Sequence, residues 1–329
     1  MIKPTKWKTQ REAFIESLSY LQDRKTGKIT SLKTPWEKFN NATTDGIEWH
    51  STTVIGARPA TGKTLIKDLI ITGAFKLNPL MPFRVLEFQF EMLGKNSAIR
   101  EYSQNLGVSY KYLCSADGKL SDKDFERCKA YAKAKLQYPI DIVEESCTVM
   151  QFKEIIEEYM KSNSSMNKEG KTIYKNTIVT LDHSLLLDNA PYGDDMSMLK
   201  ALGKTITALK RKYPIAFIII SQLNRNIDSP ERNEDGKYGN FILESDIFGS
   251  DALLQHADTL IGLNRPGKQK LNYYGVERYI INQDPTILVM HFLKCRNGET
   301  GIGFFKTEFE KMNIAEIPTP PRQERKLRT

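Results

Sequence analysis

The sequence predicts an α/β fold in which a mostly parallel, twisted sheet is flanked by helices and ends in an antiparallel hairpin. From His50 onward, short β-rich runs alternate with helical patterns, and this order is typical of a parallel sheet covered by helices. Several of the runs are apolar at successive residues, as strands buried on both faces are. The turn GARPATGKT, at residues 56–64, joins the first run to the first helical pattern, which is the setting of a phosphate-binding loop.

The elements follow one another along the chain in a regular order. The predicted strands are STTVIGA, FRVLEFQFEM, IDIVEES, TIVTLDH, AFIIISQLN, ADTLIGLNR, ILVMHFLKCRNG and IGFFKTEF. Helical spacing of apolar residues predicts helices over residues 63–76, 96–106, 121–136, 150–161 and 196–212. Polar stretches with Gly or Pro are expected to be loops, namely KSNSSMNKEGKTIYKN, NRNIDSPERNEDGKYGN and RPGKQKLNYYGVERYIINQDP.

An amphipathic linker helix is predicted near the N-terminus, because apolar residues recur there at helical spacing: Trp7, Phe14, Ile15, Leu18 and Leu21. It either packs on its own domain or forms an arm that packs on a neighbouring subunit. The polar stretch DRKTGKITSLKTPWEKFNNATTDG follows as a linker or docking segment. We therefore expect an N-terminal arm at residues 1–27, the main domain at 28–317 and a disordered basic tail at 318–329.

Composition and charge restrict the class of protein. The 329 residues carry a formal charge of +8 and a pI of about 9.1, which favour an anionic partner such as nucleic acid, although a solvated surface would explain the same charge. The four cysteines lie far apart and the histidines do not cluster near them, so neither a disulfide framework nor a zinc site is indicated. No signal peptide is evident, and no apolar run approaches the roughly 20 residues that span a bilayer, so we expect a cytoplasmic protein without a membrane partner.

The segment ARPATGKT has the strand-turn-helix context that a P-loop requires. Its backbone N–H groups and the start of the following helix would face the phosphates of a nucleotide. Lys63 can reach the β and γ phosphates, and the Thr64 hydroxyl can bind Mg²⁺. Alanine replaces the usual first glycine at position 57, which is tolerable if its φ is negative. We therefore predict ATP and Mg²⁺ as cofactors, bound by Ala57, Arg58, Pro59, Ala60, Thr61, Gly62, Lys63 and Thr64.

Two carboxylates at the ends of predicted strands extend this site. Asp182 ends the β-branched run TIVTLDH, where a P-loop protein needs a carboxylate that holds Mg²⁺ through water. The alternative for Asp182 is a turn residue or a helix cap. Glu91 ends FRVLEFQFEM, the first strand after the P-loop helix, where it can orient the attacking water, but a glutamate there could equally be a surface residue.

Six segments in this order resemble the motor domain of DnaB-type replicative helicases: ARPATGKT, VLEFQFEM, IVTLDH, SQLNR, SDIFGSDALLQHAD and KCRNGETG. The resemblance covers roughly residues 28 to 312. It implies a RecA-like P-loop NTPase that hydrolyses ATP and assembles with copies of itself into a hexameric ring on single-stranded DNA. It also implies a phage or mobile-element protein that lacks the N-terminal domain by which cellular relatives recruit primase. A primase or a helicase loader remains a candidate partner.

The resemblance implies roles for individual residues. Lys63 and Thr64 would bind the phosphates and Mg²⁺, Asp182 would be the Walker B acid and Glu91 the catalytic base. Gln222, at the tip of the run IIISQLNR, would sense the γ-phosphate. Its alternative is a polar cap at a strand end.

Arg296 in KCRNG resembles the arginine finger that one subunit contributes to its neighbour's ATP, and Lys294 lies beside it on the same face of the strand. A planar guanidinium stabilises the charge on the transferring phosphoryl oxygens. The alternative is a solvent-exposed basic pair at a hairpin tip. Arg265, near Pro266, is a candidate for stacking on the nucleobase.

The segment IFGSD departs from the family, whose members usually carry an Arg-Glu-Ser-Gly-like turn there. The backbone N–H groups of Gly249 and Ser250 could still hold a DNA phosphate, but the charged side chain is missing. DNA contacts are therefore also expected from Arg225, Arg232 or Lys237 in the preceding loop.

Three functions stay open. The first is an ATP-driven helicase that translocates 5′ to 3′ on single-stranded DNA and unwinds duplex DNA, with the direction taken from the resemblance. The second is a RecA-type recombinase or clock-like ATPase that does not unwind, against which SQLNR and KCRNG argue. The third is a non-unwinding ring ATPase that binds or loads nucleic acid, which the altered IFGSD turn favours.

Overall fold

The structure, a computed structural model, describes residues 7–233, 240–249 and 255–323. Its α-helices are α1 (Gln10–Lys25), α2 (Glu37–Ala42), α3 (Lys63–Leu77), α4 (Gly94–Leu106), α5 (Tyr110–Leu113), α6 (Asp122–Lys135), α7 (Val149–Ser162), α8 (Asp195–Lys212) and α9 (Pro230–Asn233). Its strands are β1 (Ser51–Ala57), β2 (Phe83–Gln89), β3 (Ile140–Val143), β4 (Ser165–Met166), β5 (Thr172–Ile173), β6 (Asn176–Asp182), β7 (Ile215–Gln222), β8 (Thr259–Asn264), β9 (Tyr273–Tyr274), β10 (Tyr279–Ile280), β11 (Ile287–Cys295), β12 (Gly301–Glu308) and β13 (Asn313–Ile317). No helix in the described ranges is both long enough and apolar enough to cross a membrane.

The large sheet has nine strands in the order β13-β12-β11-β8-β1-β7-β6-β2-β3. Neighbours from β8 to β3 are parallel, whereas β8–β11, β11–β12 and β12–β13 are antiparallel. The predicted α/β fold with a mostly parallel sheet is therefore confirmed. The antiparallel part is larger than the predicted hairpin because β13 pairs along the edge of β12. Sequence reasoning missed β13 since only Ile314 of its five residues is buried.

The helices predicted for the main domain correspond to α3, α4, α6, α7 and α8, and each observed bound lies within two residues of the predicted one. Two of the predicted loops contain short antiparallel strand pairs. Residues 161–176 contain the small hairpin β4–β5, and residues 265–285 contain the pair β9–β10. Short hairpins of this kind carry too few residues to produce a periodic signal.

Two hydrophobic clusters fill the two faces of the sheet. In β1, Val54 packs in the cluster that includes residues of α7 and α8, whereas the next residue, Ile55, packs in the cluster that includes residues of α3. Successive side chains of a strand point to opposite faces, so both clusters draw on the same strands. This arrangement explains why the strand sequences are apolar at successive residues.

The polar segment between α1 and β1 docks on the sheet through a few apolar residues. Leu32, Trp36 and Phe39 are at most 2% exposed. The indole Nε1 of Trp36 donates a hydrogen bond to the carbonyl oxygen of Ile314 at 3.0 Å, and its ring meets Phe305 edge to face at 6.0 Å. The segment therefore belongs to the core that covers the antiparallel end of the sheet.

Helix α1 presents its apolar residues to solvent. No residue of α1 is buried, and Phe14, Leu18 and Leu21 are 60% or more exposed. Thr9 and Glu12 form a capping box, in which the Thr9 N–H donates to Glu12 Oε2 at 2.7 Å. These hydrogen bonds fix the start of the helix after Thr9. This apolar face does not pack on the rest of the described chain, as the first of the two alternatives would have it. The alternative of an arm for a neighbouring subunit stays a prediction.

We expect Trp36→Ala to lower the free energy of unfolding by about 3–5 kcal/mol, because it empties a buried aromatic site and leaves the Ile314 carbonyl unpaired. Denaturant unfolding at a protein concentration below self-association measures the effect. Trp7→Ala is the control, since Trp7 is 86% exposed and its loss should cost at most about 0.5 kcal/mol. Equal destabilisation by the two variants would show that the segment is not part of the core.

Candidate active site

A cavity of about 650 Å³ lies where four parallel strands, β1, β2, β6 and β7, end at the same edge of the sheet. Ligands of open α/β sheets bind at this edge because the loops after the strands converge there. The volume is in the range of small-molecule sites. Its lining residues are Pro59, Ala60, Gly62, Lys63, Thr64, Leu65, Lys67, Gln89, Glu91, Met92, Ser97, Arg100, Asp182, His183, Gln222, Arg265, Lys268, Phe309 and Met312.

The turn after β1 has the backbone of an anion-binding loop. Ala57 ends β1 in extended conformation, so the alanine that replaces the usual glycine fits without strain. Ala60 and Gly62 have φ of 56° and 110°, and α3 begins directly afterwards at Lys63. The first N–H with an acceptor in the helix is that of Ile66, which donates to Gly62 at 3.0 Å. The preceding N–H groups are thus available for an anion, which the helix dipole also attracts.

Lys63 lies within a group of opposite charges. Its side chain is buried, and burial lowers the pKa of Lys63, while Glu91 and Asp182 act in the opposite direction. The two carboxylates therefore lie near the ammonium group: Asp182 is the last residue of β6, and Glu91 lies in the bend after β2, which ends at Gln89 rather than continuing through Glu91 as predicted. The structure brings together Lys63, Thr64, Glu91 and Asp182 in one cavity, and the roles that the sequence predicts for them stay predictions.

Asp182 has the environment of a carboxylate that holds a cation or its water shell. It is the last residue of β6 and 4% exposed, and its Oδ1 has no hydrogen-bond partner among the described residues. A buried, unpaired carboxylate oxygen is costly unless a ligand satisfies it. In the described ranges no group of three or more His, Cys, Asp or Glu could hold a metal ion. The hydroxyl of Thr64 and the carboxylate of Asp182, which line the same cavity, are oxygen ligands of the kind that fits Mg²⁺ together with water and a nucleotide.

Gln222 reaches the cavity from the end of β7, and it meets a histidine that sequence reasoning left without a role. Its Nε2 lies 3.3 Å from Nε2 of His183. Burial, followed by the charge of Lys63, lowers the pKa of His183, and its Nδ1 has no partner among the described residues. The signal for His183 was its place next to Asp182 at a strand end. The backbone carbonyl of Gln222 also accepts the N–H of Phe248 at 2.8 Å, which links the cavity to the segment IFGSD.

The outer wall of the cavity is formed by residues from the C-terminal third of the chain. The guanidinium of Arg265 lies 4.3 Å from the centre of the Phe309 ring, and Lys268 Nζ donates to the Ala60 carbonyl at 3.0 Å. Such a wall offers a flat aromatic and cationic surface to a nucleobase. Arg265, the candidate for stacking on the nucleobase, lies in this wall, and the stacking itself stays a prediction. Phe309 and Lys268 were missed, since nothing in their local sequence relates them to residues two hundred positions earlier.

Three residues of the predicted phosphate loop do not line the cavity, namely Ala57, Arg58 and Thr61. The Nε of Arg58 pairs with Asp228 Oδ2 at 2.7 Å, and its Nη1 donates to the Leu223 carbonyl at 3.3 Å. Thr61 is buried in the turn. Arg58 therefore ties the loop to the segment after β7 in this structure, and its side chain does not line the cavity.

Arg296 and Lys294 lie at the opposite end of the sheet. Cys295 pairs with Thr259, the first residue of β8, whereas the cavity lies beyond the last residue of β8. The six residues of β8 correspond to about 20 Å. The side chain of Arg296 is 56% exposed and pairs with Asp258 at 3.2 Å. Burial, and then Arg296, lower the pKa of Lys294, so the two cations are neighbours. Neither can reach the cavity of its own chain.

The predicted DNA-contacting residues have different surroundings. Arg225 is exposed in a short 3-10 helix after β7. Arg232 is engaged within the chain, where its Nη2 donates to Asp246 Oδ2 at 2.9 Å, so a DNA contact would require this pair to open. Gly249 has a φ of 66°, and a Cβ there would lie 2.5 Å from Leu199, so both the backbone conformation and the close packing favour glycine at this position. Lys237 and Ser250 lie outside the described residues.

The left-handed turn before α3, the lysine at its end and the strand-end carboxylates define a P-loop nucleotide-binding protein. The chain belongs to the DnaB-like helicase C terminal domain family, whose profile matches residues 31–314. The RecA-like fold and the family that the sequence predicted are both confirmed.

Individual relatives agree with this assignment. The chain is 26% identical over 245 residues to the replicative DNA helicase DnaB of Buchnera aphidicola subsp. Baizongia pistaciae, over 72% of this chain and 47% of that protein. It is 25% identical over 127 residues to the DNA helicase/primase of Enterobacteria phage T3, over 38% of this chain and 19% of that protein. The chain thus spans about half the length of the DnaB relatives it matches.

Two solved structures share the fold. A DnaB-like replicative helicase, described with its interactions with primase, has a TM-score of 0.76 at 18% identity and is matched over 94% of this chain and 69% of that chain. A second structure, described as an ATPase domain, has a TM-score of 0.73 at 18% identity and is matched over 92% of this chain and 98% of that chain.

We expect Gly62→Ala to weaken nucleotide binding by at least about tenfold. A side chain at φ 110° is strained, and its Cβ would lie 3.0 Å from the Phe309 ring, so the loop must distort. Titration with a fluorescent nucleotide measures the affinity. Gly118→Ala is the matched control, since Gly118 also has a positive φ but nothing within 4 Å of its added Cβ. Unchanged affinity in the Gly62 variant would mean that nucleotide does not bind on this turn.

Proposed function

We propose that this protein is an ATP-hydrolysing replicative DNA helicase, which translocates 5′ to 3′ on single-stranded DNA as a hexameric ring and unwinds duplex DNA. The observation that carries the proposal is the position of Arg296, exposed at the end of the sheet opposite the cavity. A head-to-tail interface between copies places one end against the other, and such interfaces form a ring when the rotation between successive copies closes. Each cavity would then receive Arg296 and Lys294 from its neighbour.

The chain's own residues would bind the nucleotide and orient water. The N–H groups at the start of α3 and the ammonium of Lys63 bind the phosphates, and Thr64 and Asp182 hold Mg²⁺. The metal supplies neutralisation of phosphate charge when it is bound. Glu91 accepts the proton of the attacking water, a role that its place in the cavity, near Lys63, supports.

The outer wall of the cavity would bind the nucleobase, and Gln222 at the end of β7 would respond to the γ-phosphate. Arg265, backed by Phe309, stacks on the nucleobase. Gln222 senses the γ-phosphate with its amide, while its carbonyl holds Phe248. A shift of Gln222 on hydrolysis is therefore transmitted to the segment that includes Gly249.

Assembly would involve α1 as well as the arginine end. Exposure of the apolar face of α1 to water is unfavourable in free energy, and contact with a neighbouring subunit would bury this face. We propose that α1 is the arm that holds adjacent copies together. A primase or a helicase loader is a further candidate partner, because a structural relative is described with its interactions with primase.

DNA would lie along the loops that follow β7. Arg225 is exposed there, and the net charge of +8 favours a phosphate backbone. Arg232, Gly249, Lys237 and Ser250 remain candidates for the same role.

A ring ATPase that binds or loads nucleic acid without unwinding is the second candidate. Phe248 and Gly249 stand where helicases of the family usually carry a charged side chain, and this substitution favours a weaker grip on DNA. A recombinase-like filament is the third, and particle shape in electron microscopy separates it from a ring.

We expect the protein to displace a strand from forked DNA with a 5′ tail in the presence of ATP, and Lys63→Ala to abolish both displacement and ATP turnover, since the phosphates lose their cation. Strand displacement and phosphate release are measured together. Lys76→Ala, at the exposed end of the same helix, is the control and should behave as wild type. ATP turnover without displacement would favour the loading factor, and full turnover in the Lys63 variant would refute the P-loop assignment.

We expect Arg296→Ala to leave ATP binding intact and to lower turnover by about 10³-fold or more, as loss of an arginine finger does. Mixing this variant with Lys63→Ala should restore part of the activity, because some interfaces then pair an intact cavity with an intact arginine. Arg322→Ala is the control, since Arg322 is similarly exposed and similarly paired, with Glu277 at 2.9 Å. No recovery in the mixture would contradict the role in trans.

A further inference from the structure

A lysine is buried beneath the nucleotide cavity, on the P-loop helix itself. Lys67, one turn after Lys63, is 1% exposed and lines the cavity from below. Its Nζ pairs with Asp68 Oδ1 at 2.9 Å and with Glu87 Oε2 at 3.0 Å. Burial alone would lower the pKa of Lys67, but Asp68 and Glu87 outweigh burial and the pKa is raised. Lys67 therefore stays charged in the core.

The ion pair continues as a chain of hydrogen bonds along β2. Gln89 Nε2 donates to Glu87 Oε2 at 3.1 Å, and Ser97 Oγ of α4 donates to Gln89 Oε1 at 3.0 Å. Val85 packs in the cluster that includes residues of α3, and the period of two places Glu87 and Gln89 on the same face. The chain thus runs from Lys67 under the phosphate loop to the edge of the cavity.

Gln89 lies beside Asp182, and its side-chain amide can form more hydrogen bonds than it makes within the described residues. The two residues are direct partners in the parallel pairing of β2 with β6, and both line the cavity. A primary amide has two N–H donors and an oxygen with two lone pairs. Among the described residues, Glu87 takes one donor and Ser97 one lone pair. One N–H and one lone pair remain for a group in the cavity, next to the unpaired Oδ1 of Asp182.

Packing alone does not require this arrangement. Apolar side chains at positions 67 and 87, with an uncharged residue at position 68, would fill the space between α3 and β2, and apolar replacement of a buried ion pair is often neutral or stabilising. A buried ammonium with two carboxylates instead fixes the orientation of the polar groups bonded to it. The group that it fixes at the cavity is the amide of Gln89.

We propose that Gln89 is a further residue of the hydrolysis site, which hydrogen-bonds a water molecule beside Asp182, and that Lys67 is a positioning residue that orients Gln89 through Glu87. The inference rests on the proposed ATPase activity. In this proposal Gln89 orients water that lies between the Asp182 carboxylate and the phosphates. The orientation of that water affects the rate of the chemical step more than it affects the affinity for nucleotide.

Steady-state ATP turnover of the full chain, with DNA and Mg²⁺ present, tests the proposal. Gln89→Met should lower kcat by about tenfold and leave KM for ATP within about threefold, since the phosphate loop is untouched. The combined variant Lys67→Met with Glu87→Leu, made together with Asp68→Asn so that no buried carboxylate loses its cation, should show the same split, with an unfolding midpoint within about 4 °C of wild type. Adding Gln89→Met to the combined variant should cause no further loss, because Lys67, Glu87 and Gln89 act as one unit.

The outcomes separate positioning from simple packing. A combined variant with wild-type kcat overturns the positioning role, and so does a loss on adding Gln89→Met that is the product of the separate losses. If the combined variant does not fold, Gln89→Met and Ser97→Ala decide, and a wild-type kcat in Gln89→Met overturns the proposal. Wild type and Lys63→Ala are measured alongside. Absence of turnover in wild type refutes the proposed function, whereas wild-type turnover matched by Gln89→Met refutes only this inference.

Discussion

The register of four parallel strands is the constraint on which the site depends. Ala57 pairs with Gln222, Gln89 pairs with Asp182, and Leu181 pairs with Ile219, so the strand ends that carry the phosphate turn, the sensor candidate and the carboxylate lie within about two residues of one another. A slip of one residue in any strand would move its apolar side chains to the wrong face and withdraw its polar end from the cavity. The two clusters on the faces of the sheet therefore fix the chemistry at its edge.

The same sheet separates the two halves of the proposed hydrolysis site. β1 carries the phosphate turn at its end, and β8, its parallel neighbour, carries Arg265 at its end and Asp258 just before its start. Asp258 holds Arg296, and its backbone carbonyl accepts the Arg296 N–H at 2.8 Å. Rigid strands thus set the distance between cavity and arginine, so that an assembly built head to tail would have a fixed geometry at every interface.

The elements whose signals are local could be predicted closely from the amino-acid sequence. Apolar runs and helical spacing are properties of neighbouring residues, so the predictions for β1 and α3 agree with the structure to within one residue. Lys67 could not be understood in this way, because its partner Glu87 lies twenty positions away and each residue alone contradicts the apolar pattern of its element. Likewise, the expectation that Arg232 contacts DNA takes no account of its pairing with Asp246. Side-chain pairs across elements depend on packing, which periodicity does not report.

Backbone contacts, rather than charged side chains, connect the cavity to Ile247 and Phe248 of the segment IFGSD. Leu223 pairs with Ile247 in an isolated antiparallel bridge, and Phe248 donates its N–H to the Gln222 carbonyl. The Leu223 N–H in turn bonds the Ala57 carbonyl at 3.2 Å, next to the phosphate turn. Backbone hydrogen bonds therefore connect the end of β1 to the end of β7, and the end of β7 to Ile247 and Phe248. The DNA contact proposed for this segment would respond to the nucleotide through this path.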